Sequence, residues 1–381
     1  MQIFDNNETI ATIFQRAASL TISKDFAHQQ SGQVTVVHRQ GSEQENRRRD
    51  LLAIEVEAQK NKIIEEQGQK HFQDIVTNNF YNQVRTQINT KFDNKEHLYS
   101  QVLNIEDAAP AILEKLSLRA SSINQIKPLA TSLTWLSNDL VNLVNKPQYR
   151  KRADVQVTEP ALALSYIGLD NLKLVMPTFF LKHWLPNSTA PYPLMKRKLW
   201  NDSLSIALAA SALAKEQDLD TFLAFCTGML TNIGQLAVTR CFLHTYQEMH
   251  TAELRKAYDN KDKRLHDSLV KMDSSPELLL EQLMMRSSHL GADLVELMHF
   301  ERLAITEPIF DLAYTNDISK MSPIAQLVAK AKAYVTFRNL AKEDLINSNE
   351  VKLLFSSVKL TPTEISLLKK SDIDHIKLNF S

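Results

Sequence analysis

Seven glycines in 381 residues are too few for a fold built on tight turns. Hairpins need residues that accept positive φ, and average usage would have supplied about 27 glycines in a chain this long. The sequence is therefore read as all-α: a multi-helix bundle with helical N- and C-terminal extensions. Its length is ample for a sizeable core, in two or three domains or in one substantial domain with extensions.

Lys plus Arg number 44 and Asp plus Glu number 44. A neutral chain offers no global field for nucleic acid or an anionic membrane, which argues against both as partners, so any basic site must be local. The two cysteines, Cys226 and Cys241, would lie roughly 22 Å apart on a continuous helix, too far for a disulfide. That fits a reducing cytoplasm. The N-terminal "MQIFDNNETI" lacks the basic start and apolar core of a signal peptide, and no uninterrupted apolar run reaches membrane-spanning length.

The N-terminal region, residues 1–102, begins with Ile10, Ile13, Phe14, Ala17 and Leu20 on one helical face, with Asp5, Asn6 or Asn7 available as a cap. Residues 33–38, rich in valine between two glycines, predict a strand. From Ser42, which forms a capping-box pattern with Glu45, a charged stretch without proline to Asn104 predicts a long helix. Its stripe of Phe72, Ile75, Val76, Phe80, Val84 and Ile88 drifts around the helix instead of keeping a heptad. Such a stripe packs on a neighbour, either the chain's own core or a second copy in a homodimer. The "RRRD" at 47–50 is a solvated face or, alternatively, a contact for phosphate or an acidic partner.

Residues 103–317 are denser in apolar side chains and read as consecutive buried helices. Beyond them, residues 318–381 form a helical extension. Ser322 and Pro323 start one helix with a stripe of Ile324, Leu327, Val328, Ala331 and Val335, and Thr361, Pro362 and Glu364 start another.

Within 103–317, four segments in order resemble the HDOD domain, a signalling relative of the metal-dependent HD phosphohydrolases. "IKPLATSLTWL" is similar to I-x-x-D-P-x-L-x-x-x-L-L, with Lys127 in place of Asp. "ALALSYIGLDNLKLVM" resembles A-I-x-x-L-G-x-x-x-L-x-x-L, with Gly168 matching. "LWNDSLSIALAASALA" resembles F-W-x-H-S-x-x-x-A-x-x-A, keeping Trp200 and Ser203 but placing Asp202 at the His. "FCTGMLTNIGQLAV" resembles A-x-x-x-G-L-L-H-D-I-G-x-L, with Thr231 and Asn232 where the His and Asp stand.

The resemblance implies a bacterial signalling protein on a degenerate HD-type fold. Asn316 and Asp317 replace a further His pair, and His289 has a counterpart in the family at shortened spacing. A metal phosphohydrolase needs imidazoles and carboxylates around a divalent ion. The matched positions hold too few, so neither catalytic residue, metal nor cofactor is expected. Asn232 and Thr231 are read as satisfied polar groups at a helix junction, with Gly234 permitting close packing. The alternative is a vestigial pocket formed by Trp200, Asp202, Thr231, Asn232, His289, Asn316 and Asp317 that binds a small ligand.

One further stretch, "FFLKHWLPNSTAPYPLMKRKLW", interleaves aromatics and cations. Trp184, Tyr192, Lys196, Arg197 and Lys198 form either a contact surface or a loop anchored by its aromatics, with its cations in water. Two readings of function result. One is a non-catalytic regulator acting through an unidentified signalling protein. The alternative is a nucleotide-binding receptor, or a residual metal-dependent phosphohydrolase, using the altered site.

Overall fold

The computed structural model of the protein describes residues 7–32, 53–149 and 156–378. The expected strand at 33–38, the Ser42 capping box and the cations at 47–49 lie outside the described residues. Among the described residues every regular element is helical, as the scarcity of glycine predicts.

Helix α1 (Glu8–Ile22) starts where the Asn7 side chain accepts from the backbone N–H groups of Thr9 and Ile10, and it buries Ile10, Ile13, Leu20 and Ile22. Ser23 ends it and caps the short α2 (Lys24–Gln30). Helix α3 (Ala53–Asp93) is 41 residues long. Its second half buries Phe80, Val84, Ile88 and Phe92. Tyr81 donates to the Asp273 carbonyl at 2.7 Å and Arg85 pairs with Glu281 at 2.8 Å. Phe80, Val84 and Ile88 of the drifting stripe thus pack on the chain's own core, while Ile75 stays 45% exposed.

A short α4 (Lys95–His97) continues as a π-helical turn, Leu98–Val102. The core follows as α5 (Ala108–Ser117), α6 (Ile123–Ser132), α7 (Thr134–Val144) and α8 (Pro160–Trp184). Gly168 bends α8 by adopting φ 76°, a conformation that costs little only without a Cβ. Next come α9 (Met195–Glu216), α10 (Thr221–Leu230), α11 (Ile233–Asp259), α12 (Lys263–Val270) and α13 (Pro276–Glu296). Helices α11 and α13 cross at Gly234, where a Cβ would sit 1.8 Å from the Ser287 carbonyl oxygen. Thr221–Asp259 contains a window apolar enough to cross a membrane, and 78% of that window is buried inside the fold.

The chain closes with α14 (Thr306–Tyr314), α15 (Pro323–Ala341), α16 (Ser348–Ser357) and α17 (Pro362–Lys370). The expected capping box of Thr361 and Glu364 is formed. Helix α15 packs directly on α9 and α10, and α1 crosses α13, α15 and α16. Both terminal regions therefore cover the middle of the chain, and a cavity opens beneath them.

Candidate functional site

Thr231 and Asn232 form the joint between α10 and α11. Asn232 is 2% exposed, and its Nδ2 donates to Ser203 Oγ on α9 at 3.2 Å. Ser203 in turn donates to the Leu199 carbonyl. The buried amide ties two helices together, and Gly234, two residues on, lets the third approach. The other half of that amide is unsatisfied: Asn232 Oδ1 has no hydrogen-bond partner among the described residues.

Asp202, one residue before Ser203, points into the same space. A cavity of about 360 Å³ lies between α1, α9, α11, α13 and α15, with Asp202 and Asn232 both on its wall. Asn339 Nδ2 donates to Asp202 Oδ1 at 2.8 Å. Burial raises the carboxyl to about 6, against the opposing effects of that hydrogen bond and of Lys198, Arg338 and Lys332. Lys332, half-buried on α15, is lowered to about 8 by burial, with Asp202 pulling the other way. Lys198 donates to the Leu20 carbonyl of α1, closing the cavity at one end, and burial lowers its ammonium too.

The residues present do not fit a divalent-ion centre. Among the described residues no three His, Cys, Asp or Glu side chains gather as a metal-holding group. At the cavity the carboxylates are Asp202 and Glu343, and the second is paired with Lys24 at 2.5 Å. Lys332 places an ammonium where a metal would need a donor.

The structure separates the remaining predicted residues. His289 sits against Tyr314, ring centroids 4.9 Å apart, on α13. Asp317 caps the short 3₁₀ turn Ile318–Lys320 by accepting from Ser319 N–H at 2.9 Å, and Asn316 precedes it. Trp200, on α9, lines a different groove. Thr231 is not among the cavity-lining residues.

Trp184 and Tyr192 are not surface residues. Trp184 is fully buried and stacks on Phe180, and Tyr192 donates to the Ser274 carbonyl at 2.5 Å. Both anchor the proline-rich loop, because rings of that size lose too much apolar area if left in water. Lys196, Arg197 and Lys198 diverge: Lys196 faces the groove of about 550 Å³ that holds Trp200 and Phe179, Lys198 faces the cavity, and Arg197 borders both.

Sequence reasoning missed Lys332 and Asn339. The signal was present: Lys332, Thr336 and Asn339 recur at helical steps of four and three beside the apolar stripe of α15, too polar a row for a helix buried on several sides.

No curated protein sequence matches the chain. Three crystal structures resemble it at low identity. A "Putative metal-dependent phosphohydrolase" from Shewanella amazonensis SB2B is 17% identical, covering 77% of this chain and 95% of its own, with a TM-score of 0.44. A "Putative phosphohydrolase" from the same organism is also 17% identical, covering 74% and 92%, at 0.45. A "Putative signal transduction protein" from Marinobacter aquaeolei VT8 is 16% identical, covering 74% and 65%, at 0.41. In the middle of the chain, where the four motifs lie, residues 103–276 match the HDOD domain family.

Proposed function

We propose that the protein is a regulatory signal-transduction protein that acts by binding another protein and does not hydrolyse phosphoesters. One observation carries this reading. Around the cavity, a carboxylate, two amides and a lysine (Asp202, Asn232, Asn339 and Lys332) stand where a metal enzyme would need a cluster of imidazoles and carboxylates. Metal-assisted hydrolysis depends on that cluster to hold the ion and to activate water. A fold can persist when its reaction does not, because function resides in the site and not in the scaffold. On this reading residues 103–317 are the regulatory core, with 1–102 and 318–381 as extensions, and the setting is the bacterial cytoplasm.

The test is metal analysis of the purified chain together with hydrolysis of bis(p-nitrophenyl) phosphate in Mg²⁺ and Mn²⁺. We expect no stoichiometric metal and no turnover above that of Asp202→Ala. Stoichiometric metal with turnover that Asp202→Ala abolishes would overturn the non-catalytic reading. Crosslinking of the tagged chain in cells reads the other half: one specific protein is expected, and a chain that crosslinks only to itself counts against a separate partner.

A further inference from the structure

The cavity is closed by elements outside the matched HDOD residues: α1 supplies one wall and α15 another. Its ionisable lining is unbalanced. Arg197, Lys198, Lys332 and Lys342 face Asp202 and Glu343, a surplus of two positive charges even with both carboxyls ionised. Glu343 is already engaged by Lys24, and Lys332 Nζ has no hydrogen-bond or ion-pair partner among the described residues. Holding an unpaired ammonium half out of water is unfavourable, and proteins ordinarily pair such groups.

Two polar atoms of the wall are incomplete as well. Asn232 Oδ1 and Ser287 Oγ, on side chains 2% and 7% exposed, lack hydrogen-bond partners among the described residues. Buried polar atoms are nearly always satisfied, and both of these side chains border the cavity that the unpaired ammonium faces. The α1 wall is mainly apolar, with Phe14, Ala17, Ala18 and Leu20 beside Thr21. A volume of about 360 Å³ is in the range of small-molecule pockets and far exceeds what a bare inorganic anion fills.

We propose that this cavity binds a small phosphomonoester, its phosphate among Lys332, Lys198 and Lys342 and its flat or apolar body along α1. A phosphomonoester carries between about 1.5 and 2 negative charges at neutral pH, which matches the surplus, whereas a single carboxylate leaves part of it unmet. Binding alone is assigned to the cavity, with no chemistry on the phosphate. This goes beyond the regulatory reading and does not depend on it, since binding at the cavity stands whichever protein the chain acts on.

The test titrates the full-length protein calorimetrically with phenyl phosphate and adenosine 5′-monophosphate, beside phenol and adenosine as their uncharged counterparts. At least one phosphate is expected to saturate at one per chain with a Kd below about 1 mM, and its uncharged counterpart to bind at least tenfold more weakly. Lys332→Met should weaken binding tenfold or more. Lys342→Ala, at an exposed position where folding is not at risk, should weaken it severalfold, and Lys146→Ala in the separate groove should leave it unchanged. The proposal is overturned if neither phosphate saturates, if the uncharged compounds bind equally well, if both cavity variants keep full affinity, or if Lys146→Ala abolishes binding.

Discussion

Asp202 and Lys332 face one cavity, and burial drives both toward their neutral forms: the carboxyl rises from 3.8 to about 6 and the ammonium falls from 10.5 to about 8. Their mutual attraction opposes this drift but is outweighed by the loss of water around each.

Opposite pH slopes result. Between pH 3.8 and about 6 the folded protein keeps a proton on Asp202 that the unfolded chain releases, so stability falls as pH rises through that window. Between about 8 and 10.5 the unfolded chain keeps the Lys332 proton that the folded protein releases, so stability rises there. A shift of about two pK units for Asp202 corresponds to on the order of 3 kcal/mol as an upper figure. Asp202→Asn, whose amide oxygen still accepts from Asn339, should remove the acid-side slope and stabilise the protein at neutral pH by about 1–3 kcal/mol. Urea unfolding across the acid range checks this; parallel curves for the two proteins would show that Asp202 titrates normally.

Gly234 and Gly68 should respond oppositely to alanine. At Gly234 a Cβ would meet the Ser287 carbonyl oxygen at 1.8 Å and the Gly291 nitrogen at 2.7 Å, both backbone atoms that yield only if α11 and α13 separate. Gly234→Ala is expected to cost about 3 kcal/mol or more. Gly68, exposed within α3, has nothing within 4 Å of a new Cβ. Gly68→Ala should raise stability by about 0.5–1 kcal/mol through helix propensity and a less flexible unfolded chain. Thermal unfolding of the pair separates close packing from a general intolerance of side chains.

Most of the helices were legible because their signals are local. Asn7, one of three residues offered as the cap of α1, and Thr361 are caps readable from residue type, and the stripes of α1 and α15 follow the helical period. The motif order singled out Asp202 and Asn232, and the structure brings both to the wall of one cavity. Trp200, Thr231, His289, Asn316 and Asp317 share the family's sequence positions without lining it, since register along a helix decides which way a matched residue faces. The lysine that gives the cavity its character lies 130 positions beyond Asp202 on a helix the motifs do not cover; the polar row of α15 marks Lys332 but does not say which residues it meets. Of the two readings of the aromatics between cations, the burial of Trp184 and Tyr192 matches the loop anchored by its rings.

One side chain adds a polar tie to the N-terminal helix, beside the apolar face that it buries. Arg16 Nη1 donates to Glu350 Oε1 at 2.8 Å and to the Leu345 carbonyl at 3.1 Å. Glu350 Oε2 also accepts from the Asn347 N–H, completing the capping box of α16. Arg16→Ala is expected to cost about 1–2 kcal/mol, since it strands a mostly buried carboxylate. Glu350→Gln preserves the capping box, which accepts Gln as well as Glu, and should cost less. Hydrogen exchange should show α1 amides opening faster in Arg16→Ala while those of α9 hardly change.

The chain's last described residues depend on a different grip. Arg338 Nη1 donates to Asp374 Oδ2 at 3.0 Å, while Nη2 donates to the other carboxylate oxygen and to Ser205 Oγ at 3.4 Å. This two-pronged bond fixes the tail across α9 and α15, and two residues later Ile376, with Leu378 beyond it, covers the groove holding Trp200 and Phe179. Arg338 holds the Asp374 carboxyl below its ordinary value of 3.8, so its stabilising effect is present above the unfolded pKa and fades as pH falls through the lowered one. Asp374→Asn removes the charge without removing the side chain. Trypsin should then cut after the exposed Lys377 roughly tenfold faster, while global stability falls by less than about 1 kcal/mol, because the tail opens without unfolding the core. An unchanged cleavage rate would mean that Ile376 and Leu378 hold the tail by apolar contact alone.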